Sequence, residues 1–506
     1  MAHNELPLGQ SSTTQALIIG AGMAGLLAAR MLSNCYAQVL IFETDTSSTA
    51  HEPRPGAPQA FHIHRLLPRG KWILEYIEEL LEAEVYPTQN KRVVLVNPSG
   101  IFQSFQPDQG VPCSKALLDW EIRQRVQALP NVRILSHQEV IGLGLSAEDG
   151  KAIGIIVRKR GQLEQQMVVS ADLVIDASGR TSQLTRWLQD VGYDVPEEDR
   201  VNALIGYSTR YYMASSQVID QAGTIVVDEV QSEGKYEVGI LPIEDGSMWE
   251  TLFGIGGHYP ATDGQGFDQG LSNLYLIHAQ LADQSQQATP QTAPRGYHVP
   301  ACVCRHYGQA SRWPGGLLAL GDAFCHFDSI YGRGMSVTAI EAETLSTPLQ
   351  AQRKHPHADC ERQTLRRMKE AIASAWWLSV ISDLCGANGT YEGPGKPHGV
   401  SLIHRYLDCY FTYSLEHPVG LAQALQTDQP NLVKFVLLNE LTLPPVVIFH
   451  APMFNLLLDA EAASDGPHIL QKLVDDYQLS SEEILEQIVP LFPSTSPVFV
   501  SMSQSE

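Results

Sequence analysis

Long apolar runs are missing from this 506-residue sequence. The longest candidate, Pro444 to Leu458, carries His450 and three prolines and is too short and too interrupted to cross a bilayer. No secretory pattern is visible either. The first fifteen residues are mostly polar and hold no Lys or Arg, and the first apolar run starts at Ala16. Cysteine pairing is also absent as a pattern. The eight cysteines are scattered, and only Cys302 and Cys304 lie close together, a poor metal signal without nearby partners. Free thiols in a reducing compartment are therefore expected. These absences lead us to expect a cytoplasmic protein with no transmembrane segment and no metal. Positive charge is scarce as well: 34 Lys and Arg against 56 Asp and Glu leave a formal charge of −22. Such a balance opposes binding to nucleic acid or anionic membranes. With 44% hydrophobic and 18% charged residues, the chain reads as globular and long enough for two or three packed units.

What is present is a strand that breaks into glycines. The run Ala16–Ile19 reads as a buried parallel strand, followed by Gly20-x-Gly22-x-x-Gly25 and then an Ala/Leu-rich helix that includes Met23 and Ala24. In a dinucleotide fold Gly20 makes the tight turn, Gly22 admits a pyrophosphate, and Gly25 lets helix and strand pack closely. The phosphate charge would sit at the helix N-terminus. A second strand, Gln38–Phe42, ends at Glu43, 23 residues after Gly20, where an acid is expected to bind ribose hydroxyls. That order favours an unphosphorylated ribose and leaves FAD and NAD both open.

Further along, the alternation His62-x-His64 would put both imidazoles on one side of a strand-like segment. Helical spacing runs from Gly70 to Glu84. Ser114 is a natural N-cap for a helix with an apolar stripe at Leu117, Leu118, Ile122 and Val126. Strands over 131–135 and 141–144 and a hairpin precede Ala171-Asp172-Leu173-Val174-Ile175-Asp176-Ala177-Ser178-Gly179-Arg180, where another apolar strand runs into an acid and a glycine. From 203 to 256 four strands with no intervening helix predict an antiparallel sheet. A third apolar strand ends at Gly321-Asp322, and a turn at Gly332-Arg333-Gly334-Met335 opens a helix. Residues 355 onward are mostly helical in spacing.

The three turns together resemble the flavoprotein monooxygenases of the para-hydroxybenzoate hydroxylase type. Gly206-Tyr207-Ser208-Thr209-Arg210, Arg312-Trp313-Pro314-x-Gly316-Leu317 and Tyr331-Gly332-x-Gly334-Met335 resemble the polyether-epoxidase subfamily, relatives of squalene epoxidase. The resemblance implies an α/β chain with a Rossmann-like FAD domain (15–50, 105–190 and 298–350), after a disordered lead over 1–14. It also implies a substrate domain (51–104 and 191–297) and a C-terminal helical cap (351–506). FAD would be held at Gly20, Gly22, Met23, Ala24, Gly25 and Glu43, with Arg54, Lys115 or Arg123, Asp176 and Gly179 beside it. Gly321, Asp322, Gly332, Arg333, Gly334 and Met335 would complete its site. The implied reaction passes one oxygen atom from a C4a-hydroperoxyflavin to an alkene or electron-rich ring of an extended, apolar small molecule. Electrons would come from NAD(P)H directly or through a separate flavin reductase.

His64, Tyr207, Arg210 and Ser329 are the candidate catalytic residues, with a structural salt bridge the preferred role for Arg210. The subfamily commonly reads Phe-Asn-Pro-x-Tyr-Gly-Gln-Gly-Met, whereas this chain has Phe327-Asp328-Ser329-Ile330-Tyr331-Gly332-Arg333-Gly334-Met335. The exchange of proline for Ser329 leaves room for a dehydrogenase or reductase. A flavin halogenase would show Trp-x-Trp-x-Ile-Pro, and Ala375-Trp376-Trp377-Leu378 does not match it.

Overall fold

Gln15–Ile19 is apolar on both faces, and Ala16, Leu17 and Ile18 are fully buried, as a strand covered on two sides requires. In the computed structural model it is the centre of a five-stranded parallel sheet. The order is Leu317–Ala319, Leu173–Asp176, Gln15–Ile19, Gln38–Phe42, Val132–Leu135. The structure describes residues 14–45, 56–76, 92–97, 100–105, 111–162, 164–215, 224–227, 236–243, 246–277, 288–299, 301–354, 357–385, 388–417, 431–464 and 466–490.

One face of this sheet is covered by Met23–Ser33, which packs on the helices Lys115–Gln127 and Arg333–Lys354. The other face meets an antiparallel sheet of Gln138–Leu145, Ala152–Lys159 and Gln166–Ser170. The chain leaves Gln15–Ile19 towards one neighbour and returns on its other side. That places a topological switch point at the carboxyl ends of these strands, where α/β sheets bind ligands.

An eight-stranded sheet lies beyond. Its longest strands are Gly206–Met213 and Ser247–Gly254, paired antiparallel from Gly206–Gly254 to Met213–Ser247. It departs from the expectation in two ways. Thr224–Val227 pairs parallel with Arg92–Asn97. The first strand also begins only at Gly206, because Asn202 Oδ1 accepts the Leu204 N–H at 3.2 Å and Leu204 turns left-handed at φ 50°. The preceding residues, Glu198–Asn202, join Cys302–Arg305, Cys325–His326 and Thr390–Glu392 in a separate sheet.

Among the described residues the rest of the chain is mostly helical, from Cys360–Asp383 through Val400–Glu416, Asn431–Asn439 and Ala451–Ala462 to Ser481–Ile488. Thr390–Glu392 is the strand that helical spacing missed. The expected helix from Gly70 is Pro68–Tyr76, and its continuation towards Glu84 lies outside the described residues. Ser114 caps Lys115–Gln127 as expected, accepting the Leu117 N–H at 3.1 Å. Among the described residues no helix is long and apolar enough to cross a membrane.

Candidate functional site

The first turn is shaped by contacts that only glycine permits. Gly20 sits at φ +98°, and a Cβ there would lie 2.5 Å from the Ala177 carbonyl oxygen. A Cβ on Gly25 would lie 1.9 Å from the Gly20 oxygen, so helix and strand are as close as backbones come. The Met23–Ser33 helix has neither a side-chain cap at Gly22 nor an acid in its first turn. Its N–H groups and positive dipole end are therefore open to an anion. Glu43 is buried at the tip of the next strand. Its Oε2 accepts the Ala21 N–H at 2.9 Å and its Oε1 accepts the Asp45 N–H at 3.1 Å. Arg123, buried behind the turn, donates Nη2 to the Ala21 oxygen at 2.7 Å.

The second turn hangs on Asp176. Its fully buried carboxyl accepts from Ser178 N at 3.0 Å and Ser182 Oγ at 2.5 Å, while burial pushes its pKa up. Gly179 follows at φ +82° with open space around it.

The third turn touches the first, since a Cβ on Gly321 would lie 2.6 Å from the Ala24 Cβ. Gly321 donates its N–H to Glu341 Oε2 at 2.6 Å. Burial alone would raise the Asp322 carboxyl, yet His326, 3.3 Å away, together with Lys115 and Arg180 holds it below the usual range. Gly332 then turns left-handed at φ +64°, and the Arg333–Lys354 helix begins with no acid in its first turn.

These turns enclose a cleft of about 380 Å³. Its wall includes Gly20, Gly22, Met23, Ala24, Glu43, Lys115, Gly179, Asp322, Gly332, Gly334 and Met335, together with His64 and Ser329. Gly25, Arg123, Asp176 and Gly321 stand behind the wall and shape it. Lys115 pairs with Asp119 at 2.8 Å, so its charge is partly neutralised where it meets the cleft. Arg54 lies outside the described residues.

Two charged side chains turn away. Arg210 pairs with Asp268 at 2.6 Å and bonds the Thr292 oxygen at 3.2 Å, on the sheet face covered by the Gly264–Ile277 helix. Arg333, only 1% exposed, runs back to Ser379 Oγ at 2.8 Å and Asn439 Oδ1 at 2.6 Å, with its guanidinium over the Tyr331 ring. Its charge lies behind the wall rather than on it.

The two histidines do not share a strand face, because Pro58–Phe61 is a 3₁₀ turn and the strand starts only at Arg65. His62 points into the large sheet and bonds Thr209 Oγ1 through Nδ1 at 2.8 Å, whereas the His64 Nδ1 lies 2.8 Å from the His62 oxygen. Burial, then neighbouring positive charge, pushes His62 down to about 3 and His64 to about 4, so both rings are neutral at pH 7. Tyr207 is buried between His62, edge-on at 4.6 Å, and Tyr297, stacked at 5.3 Å. Its hydroxyl faces Ser329, and burial raises its pKa.

Tyr297, Arg180 and His326 line the same cleft. No motif marked them, although Arg180 directly follows the second turn and His326 lies four residues beyond Asp322.

No protein-family model matches the chain. The protein Rv3254 of Mycobacterium tuberculosis is 28% identical over 399 residues, covering 74% of this chain and 81% of that one. The flavin-dependent brominase Bmp2 superposes with a TM-score of 0.58 at 15% identity, over 92% of this chain and 99% of that one. The oxygenase of 2-methyl-3-hydroxypyridine-5-carboxylic acid superposes with a TM-score of 0.50 at 17% identity, over 75% of this chain and 92% of that one. The α/β fold with its antiparallel sheet and helical C-terminal region is therefore one that this chain shares with the flavin-dependent brominase.

Proposed function

We propose that the chain is an FAD-dependent monooxygenase that places one oxygen atom on an alkene or electron-rich ring of a mostly apolar small molecule. The observation that carries the reading is the meeting of three turns at the carboxyl ends of one parallel sheet, with Glu43 and Asp322 lining the same cleft. The residues fit the dinucleotide. The pyrophosphate would take the open N–H groups at Gly22–Ala24, the adenosine ribose Glu43, and the ribityl chain Asp322. The flavin ring edge would meet the start of the Arg333–Lys354 helix.

When bound, FAD supplies the activation of dioxygen, and the protein supplies position and electrostatics. The first-turn N–H groups of Gly334 and Met335 lack intrahelical acceptors and favour negative charge on the ring edge. Tyr297, backed by the buried Tyr207, offers an aromatic wall for an apolar substrate, and the neutral His64 and the Ser329 hydroxyl offer hydrogen bonds beside it. Reducing equivalents would come from NAD(P)H, directly or through a separate flavin reductase. A second reading, dehydrogenation of an isoprenoid- or polyketide-like substrate, draws on Ser329 standing where the resembling subfamily has proline.

The test is to purify the protein, record its bound flavin, reduce it anaerobically and mix it rapidly with oxygen. A transient absorption band before reoxidation supports oxygen transfer. Direct reoxidation with peroxide release across a panel of alkenes and aromatics supports the dehydrogenase. A protein that takes up no flavin sinks both.

A further inference from the structure

Behind Ser329 the cleft wall holds two buried acids. Asp328 and Asp383 are each 1% exposed, and with the Cys302 thiol their ligand atoms lie within 4.8 Å of one another. Each carboxyl has one oxygen already satisfied. The Ile330 N–H donates to Asp328 Oδ1 at 2.8 Å, and the Tyr331 hydroxyl donates to Asp383 Oδ1 at 3.1 Å. The two Oδ2 atoms converge on Cys302 Sγ, at 4.0 and 3.8 Å. One thiol is a single weak donor and does not satisfy two carboxylates. Two like charges at this separation in a buried site are not both maintained.

A divalent metal ion is a poor answer to this problem. Among the described residues only three ligands converge, and the Arg333 guanidinium is fixed nearby by Ser379 and Asn439, where it would repel the ion. A proton is the better answer, because two carboxylates, one proton and one guanidinium sum to zero charge.

We infer that Asp328 and Asp383 share one proton at neutral pH, held between their Oδ2 atoms, and that Asp328, on the cleft wall, makes it available to the cleft. The second half rests on the flavin reading and the first does not. In the transfer the Asp328–Asp383 pair gives its proton to an oxyanion formed in the cleft. Two carboxylates are left facing Arg333, and solvent returns the proton through the cleft mouth. The groups facing the pair are Cys302, His326, Tyr331, Arg333 and Tyr207, with Glu237 acting on Tyr331. Burial pushes both acids upward, and the downward pull of Arg333 on the pair, and of His326 on Asp328, does not cancel it.

The test is infrared spectroscopy of apoprotein carrying ¹³C-carboxyl aspartate, which separates these acids from the buried Glu341. The expected result is a neutral-acid carbonyl band at neutral pH that is lost in both Asp328→Asn and Asp383→Asn. Absence of the band in the wild type, or its persistence in both variants (which would move it to Asp176), overturns the shared proton. If one variant fails to fold, the other reads the same band. FAD is then added to the wild type. A shift of the band on binding supports access from the cleft, and an unshifted band with FAD bound overturns that half. Failure of FAD to bind is the failure of the flavin reading, whereas the band in the apoprotein still decides whether the pair holds a proton.

Discussion

Gly334 has no reason to be glycine in the protein alone. It lies in the first turn of the Arg333–Lys354 helix, and a Cβ built on it meets nothing within 4 Å. Alanine is the better helix former by about 0.5–1 kcal/mol. Gly334→Ala is therefore expected to leave the apoprotein as stable as the wild type or up to about 1 kcal/mol more stable. The same methyl projects into the cleft, where the flavin edge is proposed to rest. An overpacked contact costs about 1–3 kcal/mol, which corresponds to a loss of FAD affinity of about 5- to 150-fold. Urea denaturation of the apoprotein reads the first effect, and titration by flavin fluorescence reads the second. FAD affinity must fall while apoprotein stability holds or rises. A variant that binds FAD within twofold of the wild type would show that no ligand approaches this helix start. A destabilised apoprotein would show that the glycine is structural after all.

Other outcomes follow from the same geometry. In Gly25→Ala the helix must retreat by about 1.1 Å to open a 1.9 Å approach to the 3.0 Å that real Cβ atoms respect, so both stability and FAD binding fall; thermal melts and FAD titration that match the wild type would refute the close packing. Glu43→Gln keeps one of two backbone acceptor roles and sets an NH₂ against the other N–H, so stability drops by about 1–3 kcal/mol with weaker FAD binding. Asp383→Asn carries its hydrogens permanently. The wild-type pair binds its proton more tightly folded than unfolded, so its stability is full below the unfolded aspartate range near pH 4 and is lost as pH rises. The variant should therefore gain on the wild type as pH rises above the unfolded aspartate range, by up to about 1.4 kcal/mol per pH unit. A pH-independent difference in urea midpoints would exclude a bound proton.

The parallel sheet was legible because its inner strands are apolar runs, of which Gln15–Ile19 breaks directly into glycine, and a buried strand leaves few alternatives to that pattern. The turns were legible for the same reason, since each is local in sequence. What escaped the sequence was the direction of side chains. Tyr207 and Arg210 lie on opposite faces of one strand. Which face is inner is decided by the Gly264–Ile277 helix, whose Phe267 and Leu271 pack on Tyr212 and Leu252. The partners of Arg333 lie 46 and 106 residues away, beyond any periodicity. The His62–His64 alternation misled because a proline-led 3₁₀ turn, not a strand, delivers those rings.

The third turn is thus not built by the parallel sheet alone. Asp383 and Ser379, from the Cys360–Asp383 helix, and Asn439, further on, hold Tyr331 and Arg333 from behind. The wall that carries Ser329 is consequently a joint product of the sheet edge and the C-terminal helices. The two ends of the cleft differ in this respect. Around Gly20 and Glu43 the contacts are mostly backbone to backbone or backbone to carboxylate, and that geometry tolerates little change. Around Asp328 they are side chain to side chain across the helical region, where a single substitution can alter charge, proton and pocket together. On the proposed function, dinucleotide binding belongs to the first end, and the chemistry that separates oxygen transfer from dehydrogenation is set at the second.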